Sequence, residues 1–327
     1  MTFFGCRTEY LQNKPTYATI ATLLYTFSAI IFTLGSLSSV DGQEAGVVIF
    51  GSPGDGPGQF NDPAGIVVDP NGYLFVVDSL NNRIQKFTNN GSFVSQWGKV
   101  GQGPGEFNNP LGITLDYTTG NLYLTDTGND RIQKFTNNGS FITEWGTSGS
   151  KNGQLSSPIG IDEDDAKQNV YVTDLGNNRV QRFTNNGVFV STWGMIGSEA
   201  GQFNNPGRIA VDPSGNLFVA DLGNSRIQKF DANGKLITMW GARGSAPGEF
   251  DRPSGMTVQY PSGNVFVVDT GNSRIQEFDN NGKFIKSVDI GTQFDVSDNV
   301  DLDVDADGKI FVTDRNDDRI LIILPNS

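Results

Sequence analysis

The feature that most constrains this chain is a repeat. An Asp followed five residues later by an Arg occurs at Asp78 and Arg83, Asp126 and Arg131, Asp174 and Arg179, Asp221 and Arg226, Asp269 and Arg274, and Asp314 and Arg319. Successive copies stand 48, 48, 47, 48 and 45 residues apart, and Trp97, Trp145, Trp193 and Trp240 keep the same period. A unit of this length is too small to bury an apolar face by itself, so it must stack against its neighbours.

Each unit divides into four short apolar runs. In the first copy these are "GIVVD" (Gly65–Asp69), "YLFVVD" (Tyr73–Asp78), "RIQKFT" (Arg83–Thr88) and "SFVSQWG" (Ser92–Gly98). Asn-Gly at 90–91, 138–139, 186–187, 233–234 and 281–282 joins the third run to the fourth. That dipeptide between apolar runs is the strongest short-range hairpin signal. Four antiparallel strands in every repeat of about 40–50 residues predict an all-β fold, a six-bladed β-propeller of four-stranded antiparallel blades. Runs such as "YLFVVD" do not alternate cleanly because both faces of a blade meet neighbouring blades.

The ends predict how the ring closes. The sixth unit stops at "RILIILPNS", after its third strand, which would leave an open edge. Val47–Gly51, "VVIFG", stands before the first unit, and Phe50-Gly51 aligns with Trp97-Gly98 47 residues on. This N-terminal strand is therefore expected to complete the last blade. The propeller is expected over residues 43–327, with blades near 63–98, 110–146, 158–194, 206–241 and 253–289, and the sixth from 299–324 plus 47–51.

The consensus "GxGxGxFxxPxGIxVDxxGNxYVxDxGNxRIQxF" closely resembles the NHL repeat family. The resemblance covers residues 47–324, with the sixth copy, Asp301–Leu324, the most divergent. It implies a six-bladed propeller. Propellers of this kind include RNA- and protein-binding modules of ubiquitin ligases and a zinc-dependent amidating lyase, and the wider group includes calcium-dependent lactonases and strictosidine-synthase-like enzymes. The fold therefore leaves function open. The chain departs from the family where the family has a histidine: Asn82, Asp130, Asn178, Ser225, Ser273 and Asp318 stand there.

Composition removes several chemistries. The chain has no histidine, and its single cysteine is Cys6. The lyase's histidine ligands, any Ser-His or Cys-His pair and a RING-type zinc module therefore have no counterpart in it. The net charge of −13 repels phosphate backbones, so nucleic acid is not an expected partner. Residues 1–42 are read as a signal peptide or a membrane anchor. Thr16–Val40 carries no charge, Arg7 and Lys14 precede it, and small residues follow at Ser36 and Ser38. Its apolar core exceeds the length of about 7–15 usual in a signal and suits the roughly 20 of a spanning helix, so both readings stand. Either places the propeller outside the cytoplasm, secreted or anchored, with membrane contact only through this segment. Asn90 and Asn138 then sit in formal glycosylation sequons.

Site candidates are the places where the repeat fails. The six Asp/Arg pairs repeat in every blade and read as architecture, a turn-holding ion pair. "DVDADG" sets Asp303, Asp305 and Asp307 at calcium-loop spacing, although the segment aligns with the first hairpin of the other blades and Phe311 takes the last ligand position. Along the innermost strand, Val67, Thr114, Asp162, Ala210, Thr257 and Asp303 are equivalent, as are Gly65, Gly112, Gly160, Arg208, Gly255 and Asp301. Asp162, Arg208, Asp301 and Asp303, with Glu163 beside them, are thus expected near the axis, lining either a ligand pocket or a solvated wall. The function expected is a monomeric, non-catalytic binding scaffold for a protein, glycan or small ligand. The alternative is a calcium-dependent lactonase-like hydrolase or lyase with its metal in the channel, and calcium is the only cofactor suggested. If residues 43–51 close the ring, their deletion yields a protein that aggregates or melts much lower in calorimetry, and unchanged melting counts against closure.

Overall fold

The computed structural model describes residues 33–38, 44–290 and 300–325 of the 327-residue chain. Six antiparallel sheets surround one axis, and five of them have four strands. In the first blade these are Pro63–Val68, Tyr73–Asp78, Arg83–Thr88 and Phe93–Trp97, from the axis outward. Each innermost strand contacts those of both neighbouring blades, and Leu302–Val304 of the sixth closes the ring against Pro63–Val68 of the first.

The N-terminal strand closes the sixth blade as expected. Val47–Phe50 pairs antiparallel with Ile320–Ile323, and a fifth strand, Thr33–Ser38, pairs outside it with Glu44–Phe50. Thr33–Ser38 falls within the segment read above as an export signal or anchor. The rest of that uncharged stretch, residues 16–32 and 39–40, lies outside the described residues. Among the described residues, no helix is long and apolar enough to cross a membrane.

The core lies between blades. Leu74, Phe75, Val76 and Val77 are all fully buried, which explains their unbroken apolar run. The long crossings add Phe60, Phe107, Leu155, Phe203 and Phe250, each without exposed surface. Burying one such side chain stabilises the fold by about 1.5–3 kcal/mol. Trp97 meets Phe135 of the next blade at 6.4 Å between ring centroids, and Trp145 meets Phe183 at 6.1 Å.

The repeated Asp and Arg form a stitch at the end of each second strand. Asp126 is fully buried. Its Oδ1 accepts the Asn108 N–H at 2.8 Å, and its Oδ2 accepts Arg131 Nε at 2.7 Å, Asn129 Nδ2 at 2.9 Å and Gln133 Nε2 at 3.0 Å. Arg131 then donates to the carbonyls of Gln102, Gly103 and Glu106, tying the preceding crossing to the blade. Removing one partner of such a buried pair costs about 3–5 kcal/mol.

The position where the family has histidine lies one residue before each Arg and is left-handed in every blade, with φ between 50° and 54°. Where it is Asn or Asp, its side chain clasps the next blade: Asn82 Oδ1 accepts the Asn109 N–H at 2.8 Å, and Asp130 Oδ1 accepts the Ser157 N–H at 2.7 Å.

The Asn-Gly turns explain the tryptophan period. Gly187 has φ +84°, and a Cβ there would lie 2.6 Å from the indole of Trp145 in the preceding blade. Gly201 has nearly the same backbone, φ +80°, with no atom near its missing Cβ. Gly201→Ala is therefore expected to cost only the left-handed backbone penalty of about 1–2 kcal/mol. Gly187→Ala adds overpacking of about 1–3 kcal/mol, read as a lower midpoint in urea. Equal losses would mean that the indole does not constrain the turn.

Candidate functional site

The innermost strands approach one another so closely that glycine recurs there. A Cβ at Gly112 would lie 2.1 Å from the Ile159 carbonyl oxygen, and one at Gly160 would lie 2.5 Å from that of Gly207. Two blades break this rule with charged residues, Arg208 and Asp301, which are 4% and 6% exposed. They face each other across the axis, with Arg208 Nε 3.4 Å from Asp301 Oδ1. Arg208 also donates to the Leu111 carbonyl at 3.2 Å from both terminal nitrogens, and Asp301 Oδ2 accepts the Ile66 N–H at 3.4 Å. The channel is plugged at this level.

Two residues further along, Asp162 and Asp303 repeat a clasp on opposite sides of the ring. Asp162 accepts the Thr114 hydroxyl at 2.6 Å from the blade before it and the Val211 N–H at 2.7 Å from the blade after it. Asp303 accepts the Thr257 hydroxyl at 2.9 Å and the Val68 N–H at 2.8 Å in the same way. Each also accepts the next residue's N–H, from Glu163 and Val304 respectively, at 2.9 Å. Threonine in blades two and five and aspartate in blades three and six thus give the inner ring an approximate twofold symmetry. Burial pushes Asp162 and Asp301 up to about 6 and Asp303 up to about 7.

Asp162, Glu163, Arg208, Asp301 and Asp303 all line one cavity of about 50 Å³ on the axis. The calcium-loop spacing does not translate into a ligand cage. Asp303 points its oxygens into the clasp. Asp305 Oδ1 instead accepts the N–H groups of Asp307 and Lys309, as a hairpin cap does, and Asp307 is exposed. Among the described residues, a different acidic group converges. Asp116, Glu163 and Asp165 bring one carboxylate oxygen each within 4.8 Å of one another.

A wider cavity of about 450 Å³ opens over the same end of the channel. Tyr117 and Tyr260 stand at its throat with ring centroids 6.2 Å apart, and both line the narrow cavity as well. Asp165, Asp303, Asp305 and Asp307 form much of the wall. The two tyrosines occupy equivalent positions on the first hairpins of blades two and five, "DYTTGN" and "QYPSGN", which are one residue longer than "DPNGY" or "DPSGN". Their rings are nearly half exposed. Burial of the hydroxyls, with Asp303 and Asp162 the leading charges at Tyr117 and Asp162 and Asp165 at Tyr260, holds both phenols well above the usual tyrosine range. Neither tyrosine stands out in the sequence. The signal was the extra hairpin residue, which becomes meaningful only when opposite blades are compared.

The fold and its plugged, acid-mouthed channel define a six-bladed β-propeller. A family model described as a 6-bladed beta-propeller, DUF5128, matches residues 64–148, and the NHL repeat model matches residues 203–230 and 250–278. The chain therefore carries NHL repeats within a six-bladed propeller. The E3 ubiquitin-protein ligase TRIM71 of Rattus norvegicus is 53% identical over 47 residues, 14% of this chain and 6% of that protein. Protein lin-41 of Caenorhabditis elegans is 42% identical over 50 residues, 15% of this chain and 4% of that protein. The chain thus matches only a small fraction of the length of these relatives. Virginiamycin B lyase from Staphylococcus aureus superposes with a TM-score of 0.60 at 15% identity, covering 90% of this chain and 100% of that one. The gluconolactonase XC5397 from Xanthomonas campestris gives 0.61 at 14% identity, covering 86% and 90%. At such identities the likeness is one of fold.

The raised carboxyls fix a sign for the pH dependence of stability. An acid whose folded pKa exceeds its unfolded value contributes stability that is full below the unfolded pKa and is lost as pH rises through the folded one. With Asp301 at about 6 and Asp303 at about 7, against an ordinary value of 3.8, the melting temperature should fall from pH 5 to pH 8 at constant ionic strength. Asp303→Asn should flatten part of that slope. Calorimetry showing Tm rising over this window contradicts the assignment.

Proposed function

We propose that this protein is a binding scaffold, exported or surface-anchored through its N-terminal segment, whose seat is the tyrosine-flanked acidic bowl. The observation that carries the reading is the Tyr117–Tyr260 pair at the throat of an otherwise acidic cavity of about 450 Å³. Aromatic faces beside carboxylates suit a ligand bearing an ammonium or guanidinium group, on a protein or a small molecule. Nucleic acid does not fit so acidic a surface. The uncharged stretch Thr16–Val40 supports export.

A channel metal held by Asp162, Asp301 or Asp303, as a lactonase-like hydrolase would need, is served less well. Asp162 and Asp303 already accept three hydrogen bonds each, and Asp301 is paired with Arg208.

Calorimetric titration of the full chain with tetralysine and tetraarginine tests the reading. Tyr260→Ala should weaken binding by about 2–30-fold, the range expected for loss of a cation–π contact. Glu199→Gln, an exposed carboxylate away from the bowl, should leave binding unchanged. Equal weakening by both variants would reduce the attraction to net charge, and absence of heat would end the cationic-ligand reading.

A further inference from the structure

Glu163 breaks the repeat at a core position. The equivalent residues in the other five blades are Val68, Leu115, Val211, Val258 and Val304, all buried and apolar. Glu163 is buried as they are, at 7% exposure, and no N–H or hydroxyl donor reaches its Oε2; the group beside it is another carboxyl, that of Asp165. A buried carboxylate oxygen without a donor is costly, and most such groups answer to a ligand, an ion or a proton.

Its surroundings are acidic rather than neutral. One oxygen each of Asp116, Glu163 and Asp165 lie within 4.8 Å of one another. Asp116 comes from the first hairpin of blade two, Asp165 from that of blade three. Asp165 takes the position that Tyr117 and Tyr260 hold in blades two and five. Burial and then Asp165 raise Glu163 to about 10, and burial raises Asp165 also.

The other blades show what balance would look like. In blade four, Lys229 answers Asp212 one to one at 3.5 Å. In blade one, Lys86 is drawn to Asp69 alone. In blade two the equivalent lysine, Lys134, faces both Asp116 and Glu163, and its Nζ is directed to the Asn185 carbonyl at 3.2 Å. Asp165 adds a third acid. The phenol of Tyr123, fully buried with no partner, lies beside all three and is held well above its usual range by burial and by their charge.

We propose that Asp116, Glu163 and Asp165 bind a calcium ion between the first hairpins of blades two and three. Calcium takes oxygen ligands at about 2.3–2.6 Å, so two ligands on opposite sides of one ion stand about 4.6–5.2 Å apart, and the observed cluster fits within that span. A smaller ion such as magnesium demands shorter bonds and near-ideal octahedral geometry, which ligands from two separate hairpins serve poorly. The ion supplies the positive charge that Lys134 alone does not. It also fixes the hairpin that carries Tyr117, the residue after Asp116, so it sets one side of the bowl. The inference stands whether or not the bowl takes a cationic ligand.

The test uses the full chain, freed of metal by chelator and dialysed. Titration with calcium chloride should raise Tm by about 3–6 °C at saturation, with one ion bound per chain by elemental analysis. Magnesium at the same concentration should do much less. Terbium should bind in place of calcium and show luminescence on tyrosine excitation, since Tyr117 and Tyr123 lie beside the cluster. Glu163→Gln and Asp165→Asn should each abolish the Tm shift and the luminescence, while Glu199→Gln keeps both. Asp165 is only half-buried, so Asp165→Asn decides the matter if Glu163→Gln fails to fold. No bound calcium and no shift in the wild type, or a full shift in Asp165→Asn, overturns the proposal and assigns the cluster to shared protons.

Discussion

A fully buried carboxylate at the end of every second strand governs how this propeller is assembled. Asp126 and its equivalents in the first five blades each satisfy the N–H of the incoming crossing, the guanidinium of the following strand and an inner glutamine amide. The arginine then grips three carbonyls of that same crossing. The crossing brings in the aromatic residue that fills the gap between sheets, so electrostatics and packing are coupled at one point. A charge buried so deeply is tolerable only because all its partners are present together. Such a network allows little local variation, which is why it repeats nearly unchanged around the ring.

Function has room only where the repeat relaxes, and it relaxes at the axis. Four blades put glycine where the strands come closest, and two replace it with Arg208 and Asp301, which plug the bore. Above them, Asp162 and Asp303 hold trios of blades by the same set of hydrogen bonds. The charges near the axis therefore act first as joints between blades. In the proposed reading, recognition falls to the mouth above them, with its paired tyrosines and unbalanced carboxylates.

The asymmetry has an order of its own. Thr114 and Thr257, Tyr117 and Tyr260, and Asp162 and Asp303 are matched pairs across the axis, so blades two and three mirror blades five and six. The match fails among the charges: blade six has Asp301 where blade three has Gly160, and blade five has Gln259 where blade two has Asp116. Blade six keeps Val304 and Ala306 where blade three has Glu163 and Asp165. The acidic cluster is thus a feature of one half of the ring, as recognition of an asymmetric ligand requires.

The sequence by itself determined the number of blades, the strand pattern, the closing strand and the architectural role of the Asp/Arg pairs. All of these are encoded in local, periodic signals: Asn-Gly turns, apolar runs and fixed spacings. It also brought Asp162, Glu163, Arg208, Asp301 and Asp303 to notice, because departures from a period are visible in the period. What those departures do was decided by the tertiary structure alone. Whether Asp162 is a free ligand or a joint depends on a hydroxyl 48 residues earlier and an N–H 49 residues later. Likewise, Tyr117 meets Tyr260 only because the closed ring sets hairpins from opposite blades over one channel. Distances between blades are set by packing around the axis, and no local pattern in the chain records them.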